Sequence, residues 1–256
     1  MTLIYEMVRF LQACLPRPMA SISCIQPLYH HITLTANAEA RWHAKQWLVQ
    51  QLYYNTDRAF STFPALDASD EFVECTAECA GPWIHISESC QVTWPYALED
   101  IKQLFLHPDS QKLICFADEL DVERDGNTVL ARRMLEEKYP WHLLQGHFHE
   151  ADRFIFVIRH LNSDEAGPSH GNPNFHEMEW IDVRRISPTR SVLRFLWHKT
   201  MLINFAKVFA KDMGVDISSQ DAKSIEQEVS TFEKRLLWES QQQLMDQLAK
   251  TSSRST

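Results

Sequence analysis

The chain has 256 residues, 45% hydrophobic and 23% charged, which is enough apolar surface to fold around a core and too much to remain disordered. A formal charge of −9 opposes general nucleic-acid binding, which needs a basic field to displace counterions from phosphates. Six glycines, none in G-x-G-x-x-G or G-x-x-x-x-G-K order, supply neither a dinucleotide fingerprint nor a P-loop.

Leu3, Ile4, Met7, Val8, Leu11 and Leu15 recur at helical spacing, and Pro16 and Pro18 stop that helix. Glu6 and Arg9 interrupt what would be a signal-peptide core. No apolar run approaches the ~18 residues of a membrane span. Six cysteines in a chain of this length need not be disulfide staples, so a cytoplasmic location with no membrane partner is expected. Residues 21–34 read as extended. A helix follows over 36–54, with Ala40, Trp47, Leu48 and Leu52 for one face.

The clearest strand signal lies at 71–94. Val73, Cys75, Ala77 and Cys79 alternate with Glu74, Thr76 and Glu78; after the turn residues Ala-Gly-Pro at 80–82, Ile84, Ile86, Cys90, Val92 and Trp94 share one parity, broken only by Glu88. That pattern predicts a β-hairpin with one buried face. Strands are expected at 112–118, 153–159 and about 178–186, with a helix at 127–138. Ser187-Pro188 reads as an N-cap followed by proline at the first helical position, opening a helix that carries Val192, Leu193, Leu196, Leu202, Ile203, Phe205, Ala206 and Phe209 to Gly214. A last helix runs from about 218 to 250, its apolar stripe formed by Ile225, Val229, Phe232 and Leu236. The expected fold class is therefore α+β: a mainly antiparallel sheet with flanking helices and two long C-terminal helices. Residues 1–214 would form the globular domain, 215–250 a long C-terminal helix that packs or binds a partner, and 251–256 a frayed tail.

Four local patterns bear on function. Cys75, Cys79, His85 and Cys90 resemble a zinc knuckle with its first two gaps lengthened. Strand parity places the three thiols on one face and His85 on the other, so they read as buried cysteines. His31-Ile32-Thr33 and His85-Ile86-Ser87 resemble the paired H-x-T/S motifs of two-histidine phosphoesterases. The resemblance implies His31 and His85 as acid and base, with Thr33 and Ser87 holding a phosphate. Six of the twelve histidines fall between His142 and His176, where even spreading predicts about 1.6. In that group His147 and His149 precede a strong strand and share a face if the chain is extended, which resembles the metal-binding pattern of cupins. His170 or His176, from a polar loop too long for a simple connector, would complete the set, and Glu150 or Asp152 would serve as ligand or base. The fourth pattern is the apolar stripe of the last helix.

The preferred reading is a non-catalytic regulator, adaptor or assembly subunit, capturing a protein partner or a second copy through 218–250. The alternative is an enzyme using a divalent transition metal at His147, His149, His170 and His176. A third is a phosphoesterase-like enzyme acting on RNA or a cyclic phosphate.

Overall fold

The alternation at 71–94 folds as a hairpin. A computed structural model describes residues 31–66, 71–117, 119–135, 139–167 and 174–252. In it β2 (Phe72–Ala80) and β3 (Trp83–Trp94) pair antiparallel, while β1 (Thr33–Leu34) pairs in parallel with β8 (Ser163–Asp164) in a small separate sheet. The helix expected over 3–15, most of the segment 21–34, His170, Cys14 and Cys24 lie outside the described residues.

Six further strands complete the main sheet: β4 (Asp121–Asp125), β5 (Thr128–Leu135), β6 (Tyr139–His149), β7 (Arg153–Leu161), β9 (Phe175–Ser187) and β10 (Arg190–Leu202). Among the described residues it has eight strands in the order β2-β3-β10-β9-β7-β6-β5-β4, every neighbouring pair antiparallel. One face packs on α1 (Ala38–Tyr54) and α2 (Thr56–Ala59). The other packs on α3 (Leu98–Leu106), α4 (Pro108–Ile114), α5 (Ile203–Asp212) and α6 (Ala222–Ser252). The fold is α+β on an antiparallel sheet, as expected. No helix among the described residues is long and apolar enough to cross a membrane.

Three elements differ from the sequence reading. Residues 190–202, expected as helix, are the central strand β10. Leu196 packs in the core on one side of the sheet while Leu193, Phe195 and Trp197 pack in the core on the other, and the buried Val192 shares the parity of Leu196. A strand buried on both faces loses the alternation of polarity that marks a half-buried one, and its apolar residues then match a helical template too. Only α5, 10 residues long, remains of the first expected C-terminal helix. Residues 128–135 are β5, not helix: Asp125-Gly126-Asn127 makes a tight turn, with Gly126 at φ +59, and the ladders to β4 and β6 override the helix-forming Leu-Ala-Arg-Arg-Met-Leu. Residues 112–117 are not a strand, and 118 lies outside the described residues. Pro108 opens α4 and the side chain of His107 accepts from the Asp109 N–H at 3.2 Å, so a short helix takes up the apolar run.

On α1, Leu48, Val49 and Leu52 are buried as a helix face requires, but Trp47 and Ala40 are exposed. Their expected places go to Arg41 and Lys45, which are buried against acids of β4 and β8. Arg41 Nη2 lies 2.8 Å from Asp164 Oδ2, and Lys45 Nζ 2.7 Å from Glu123 Oε1. Helix α6 lies on β2 and β3, with Ile225, Val229, Phe232, Leu236, Leu237 and Leu248 buried. Its apolar stripe thus faces the sheet of its own chain, and Trp238, 57% exposed, is on the side turned away.

Candidate functional site: a cavity beneath the C-terminal helix

Side chains alternate along β3, β9 and β10, so every second residue points at α6. Register then sets Glu88, Trp197 and Glu179 in one row across the three strands, and Ile86, Lys199 and Glu177 in the next. Four carboxyls are buried here: Glu88, Glu177, Glu179 and, from α6, Glu233. One lysine faces them. Lys199 Nζ lies 2.9 Å from Glu88 Oε1 and 2.6 Å from Glu233 Oε2, and 3.4 Å from the centroid of the Trp197 ring. Burial alone would strip this ammonium of its proton, but the two carboxylates hold its pKa above the usual lysine value.

The two glutamates of β9 are not neutralised in this way. Glu177 accepts a hydrogen bond from Trp141 Nε1 at 2.8 Å. Burial pushes its carboxyl up to about 7, against the opposing pull of Lys199 and that indole. Glu179 is raised well above the usual carboxylate range, first by burial and then by Glu177, with Lys199 opposing. Among the described residues the Glu179 side chain makes no hydrogen bond or ion pair, while its backbone belongs to the ladders with β7 and β10.

Glu179 lines a cavity of about 70 Å³ between the sheet and α6. Aromatic side chains dominate its wall: Trp94, Phe105, Phe116, Phe195 and Trp197. Of the other polar side chains at the wall, Ser240 and Gln241 are engaged elsewhere, while the Trp197 Nε1–H is buried without a hydrogen-bond partner. Ser240 Oγ donates to the Leu236 carbonyl at 2.8 Å, and Gln241 Nε2 to Cys90 Sγ at 3.0 Å. Phe116 holds a left-handed backbone, φ 47, that a bulky residue seldom adopts. Arg133 pins it there, donating to the Cys115 and Phe116 carbonyls while its Nη2 pairs with Asp212. The Phe116 ring consequently lies near parallel to Trp197, centroids 6.4 Å apart.

The histidine patterns fare unevenly. His147 and His149 are brought together on the end of β6, His147 Nδ1 lying 3.0 Å from His149 Nε2. Burial first, then the neighbouring imidazole, pushes His147 down to about 4. His176 does not join them. It sits on β9 five residues from Ile181, the residue that Phe156 links in register to His147, and its parity is opposite. Glu150 accepts from the Tyr53 hydroxyl at 3.1 Å, and Asp152 pairs with Arg185 at 3.0 Å. Among the described residues no group of three or more His, Cys, Asp or Glu could hold a metal ion.

The two H-x-T/S tripeptides fall in different sheets: His31 and Thr33 at exposed positions beside or on β1, His85 and Ser87 on β3. His85 Nδ1 is 2.8 Å from Thr200 Oγ1, and the buried Ser87 hydroxyl has no hydrogen-bond partner. Cys75, Cys79 and Cys90 all belong to the α6 side of the sheet, with His85 on the other side, as strand parity requires. Burial raises all three thiols, Cys90 to about 12, which leaves them protonated and weak as nucleophiles or ligands.

No protein-family model matches the chain, and no curated protein matches it in sequence. Solved structures are similar in chain course. Human STARD10 covers 77% of this chain over 81% of its own, at 9% identity and a TM-score of 0.45. The Zhui aromatase/cyclase from Streptomyces sp. R1128 covers 68% over 96%, at 11% identity and a TM-score of 0.41. A conserved protein of unknown function from Enterococcus faecalis, EF2215, covers 74% over 97%, at 10% identity and a TM-score of 0.31.

The cavity and its acids were not found from sequence, yet one signal was present. Glu88 is the single break in an otherwise apolar strand parity, and a charge on a buried face demands a partner. Its partner, Lys199, stood in a segment read as helix.

Proposed function

We propose that this chain is a non-catalytic binding protein whose site is the cavity under α6. The observation that carries the reading is Glu179, a buried carboxyl without an internal partner, set into an otherwise aromatic wall. Small-molecule sites share this composition, apolar surface for affinity and a few placed polar groups for orientation. Binding is favoured over chemistry because, among the described residues of the wall, Glu179 is the one unpartnered side chain able to exchange a proton, the other unpartnered group being the Trp197 indole N–H. General acid–base or nucleophilic catalysis needs at least two groups within hydrogen-bond reach of each other. An apolar cavity of roughly 150 Å³ takes benzene, so about 70 Å³ suits a ligand, or the end of one, of about three heavy atoms.

Trp94 and Trp197 in the wall supply the readout. Titration with small organic molecules is expected to give a saturable change in tryptophan emission. Leu244→Phe, which fills the cavity from α6, should remove that change with the melting temperature kept. Identical titrations for the two proteins would overturn the reading.

A further inference from the structure

We infer that the ligand of this cavity is a small organic ammonium ion, primary or methylated, bound between the Glu179 carboxylate and the aromatic wall. The inference rests on the cavity being a binding site and names the class of molecule it takes.

Three observations converge on it. The first is the charge around the cavity. Four buried carboxyls face one lysine, and that lysine is fully engaged by Glu88 and Glu233. Arg133, the nearest guanidinium on this side, is engaged by Asp212 and two backbone carbonyls. Glu179 is therefore a buried carboxyl that no cationic side chain among the described residues pairs with. The second is the wall. Ring faces carry negative charge density, which attracts cations and repels carbonyl or carboxylate oxygens. Trp94, Phe105, Phe116, Phe195 and Trp197 surround the space next to that carboxyl. The third is an internal precedent one residue pair away. Lys199 places its own ammonium between carboxylates and over Trp197, 3.4 Å from the ring centroid, and the same indole lines the cavity. The sheet already satisfies one ammonium in this manner, and the cavity repeats the donor set without the lysine.

Proton balance follows. Burial favours the protonated form of Glu179. When an alkylammonium enters, the carboxyl O–H bond breaks and its proton passes to solvent. The carboxylate then pairs with the N–H groups of the ligand, or with the charge of a methylated one. One cation is taken up and one proton released. The titratable and charged groups around Glu179 are Glu177 on its own strand, Lys199 on β10, Glu88 on β3, Glu233 on α6 and the Cys115 thiol at the end of α4, with the Trp197 indole beside them. Of these, Glu88 and Glu177 are also acids whose pKa burial raises, Glu177 to about 7. Glu177 lies one row away with its Oε2 held by Trp141.

The test compares ethylammonium with ethanol, molecules of matching heavy-atom count, through the indole N–H resonances of Trp94 and Trp197 in the full-length protein. Ethylammonium is expected to shift these resonances saturably and to bind at least tenfold more tightly than ethanol. Its association constant should rise with pH, up to about tenfold per unit, until the free carboxyl ionises. Glu179→Gln should remove both the preference and the pH slope. The pH slope and the ethanol comparison are read on the unmodified protein and need no variant to fold. Ethanol binding as tightly as ethylammonium, with no pH slope, would overturn the ammonium inference and leave the cavity a binding site. Neither molecule shifting either indole, in the parent protein or in Leu244→Phe, would overturn the cavity reading and this inference with it.

Discussion

Glu177 and Glu179 sit two residues apart on β9 and face the same way, yet their neighbours give them different tasks. Glu177 has a donor in Trp141 Nε1 at 2.8 Å and is bound into the core; Glu179 has none and faces the cavity. The raised pKa of Glu177 has a consequence for stability. In the unfolded chain this acid ionises near 4.5, whereas burial holds it protonated in the folded protein up to about 7. Below the first value both states are protonated and the group is neutral towards folding. Between the two, the unfolded state gains a charge that the folded state refuses, so stability falls as pH rises through the interval, then levels off above it. Glu177→Gln keeps an acceptor for Trp141 and abolishes the titration. Thermal melts should show the variant gaining a few degrees over the parent at pH 8 and little at pH 4. An equal gain at both values would locate the effect elsewhere.

Lys199 matters at the scale of elements, because it ties α6 to the sheet. Its ammonium bridges Glu88 of β3 and Glu233 of α6, and no member of this trio is more than 1% exposed. Desolvating three charges costs as much as their attraction returns, so the trio adds little net stability while intact. Breaking it is another matter. Lys199→Met would leave two carboxyls buried without a counter-charge and should cost about 3–5 kcal/mol in urea unfolding. Replacing all three, as Glu88→Gln, Lys199→Met and Glu233→Gln together, should recover most of that loss. A triple variant no more stable than the single one would show that the charges were not the cause.

The same clamp explains an uneven legibility. The hairpin at 72–94 was visible because β2 has a polar outer face and alternates. The last helix was visible because its stripe repeats every three or four residues against polar residues. β10 alternates too, but with Arg194, His198 and Thr200 buried on one face and Lys199 on the other, polarity no longer reports exposure. The strongest clue to the site, a buried lysine between two strands bearing buried acids, was therefore hidden in the element that sequence reading assigned to the wrong class. His147 and His149 were legible for the opposite reason: two residues apart in an extended segment, they depend on strand parity alone.

On the scale of the whole molecule, the sheet is a wall between two helical layers, and its thickness is fixed at the points of closest approach. Gly146 of β6 is one: a Cβ there would lie 2.5 Å from Val49 Cβ on α1. Both atoms are anchored to backbone, so neither can turn aside. Gly146→Ala should force α1 outward and destabilise the fold by about 1–3 kcal/mol, measurable as a lower urea midpoint with unchanged slope. Restoring the distance with Val49→Ala in the same chain should return part of the loss; no recovery would mean that the two sites do not touch.

By itself the sequence determined the class, α+β on an antiparallel sheet, the 72–94 hairpin, the stripe of the last helix and the pairing of His147 with His149. Each depends on a period of two or 3.6 within one stretch of chain. The tertiary structure alone decided that the stripe of α6 faces its own sheet and that β10 lies inside the sheet between β3 and β9. It also decided that Glu88, Glu177, Lys199 and Glu233 gather beneath α6 beside the cavity that Glu179 lines. These residues span 146 positions and three strands plus a helix, and their meeting is fixed by strand order and register. Register across distant strands leaves no periodic trace along the chain, because the pairing partner of a residue is chosen by the packing of everything between.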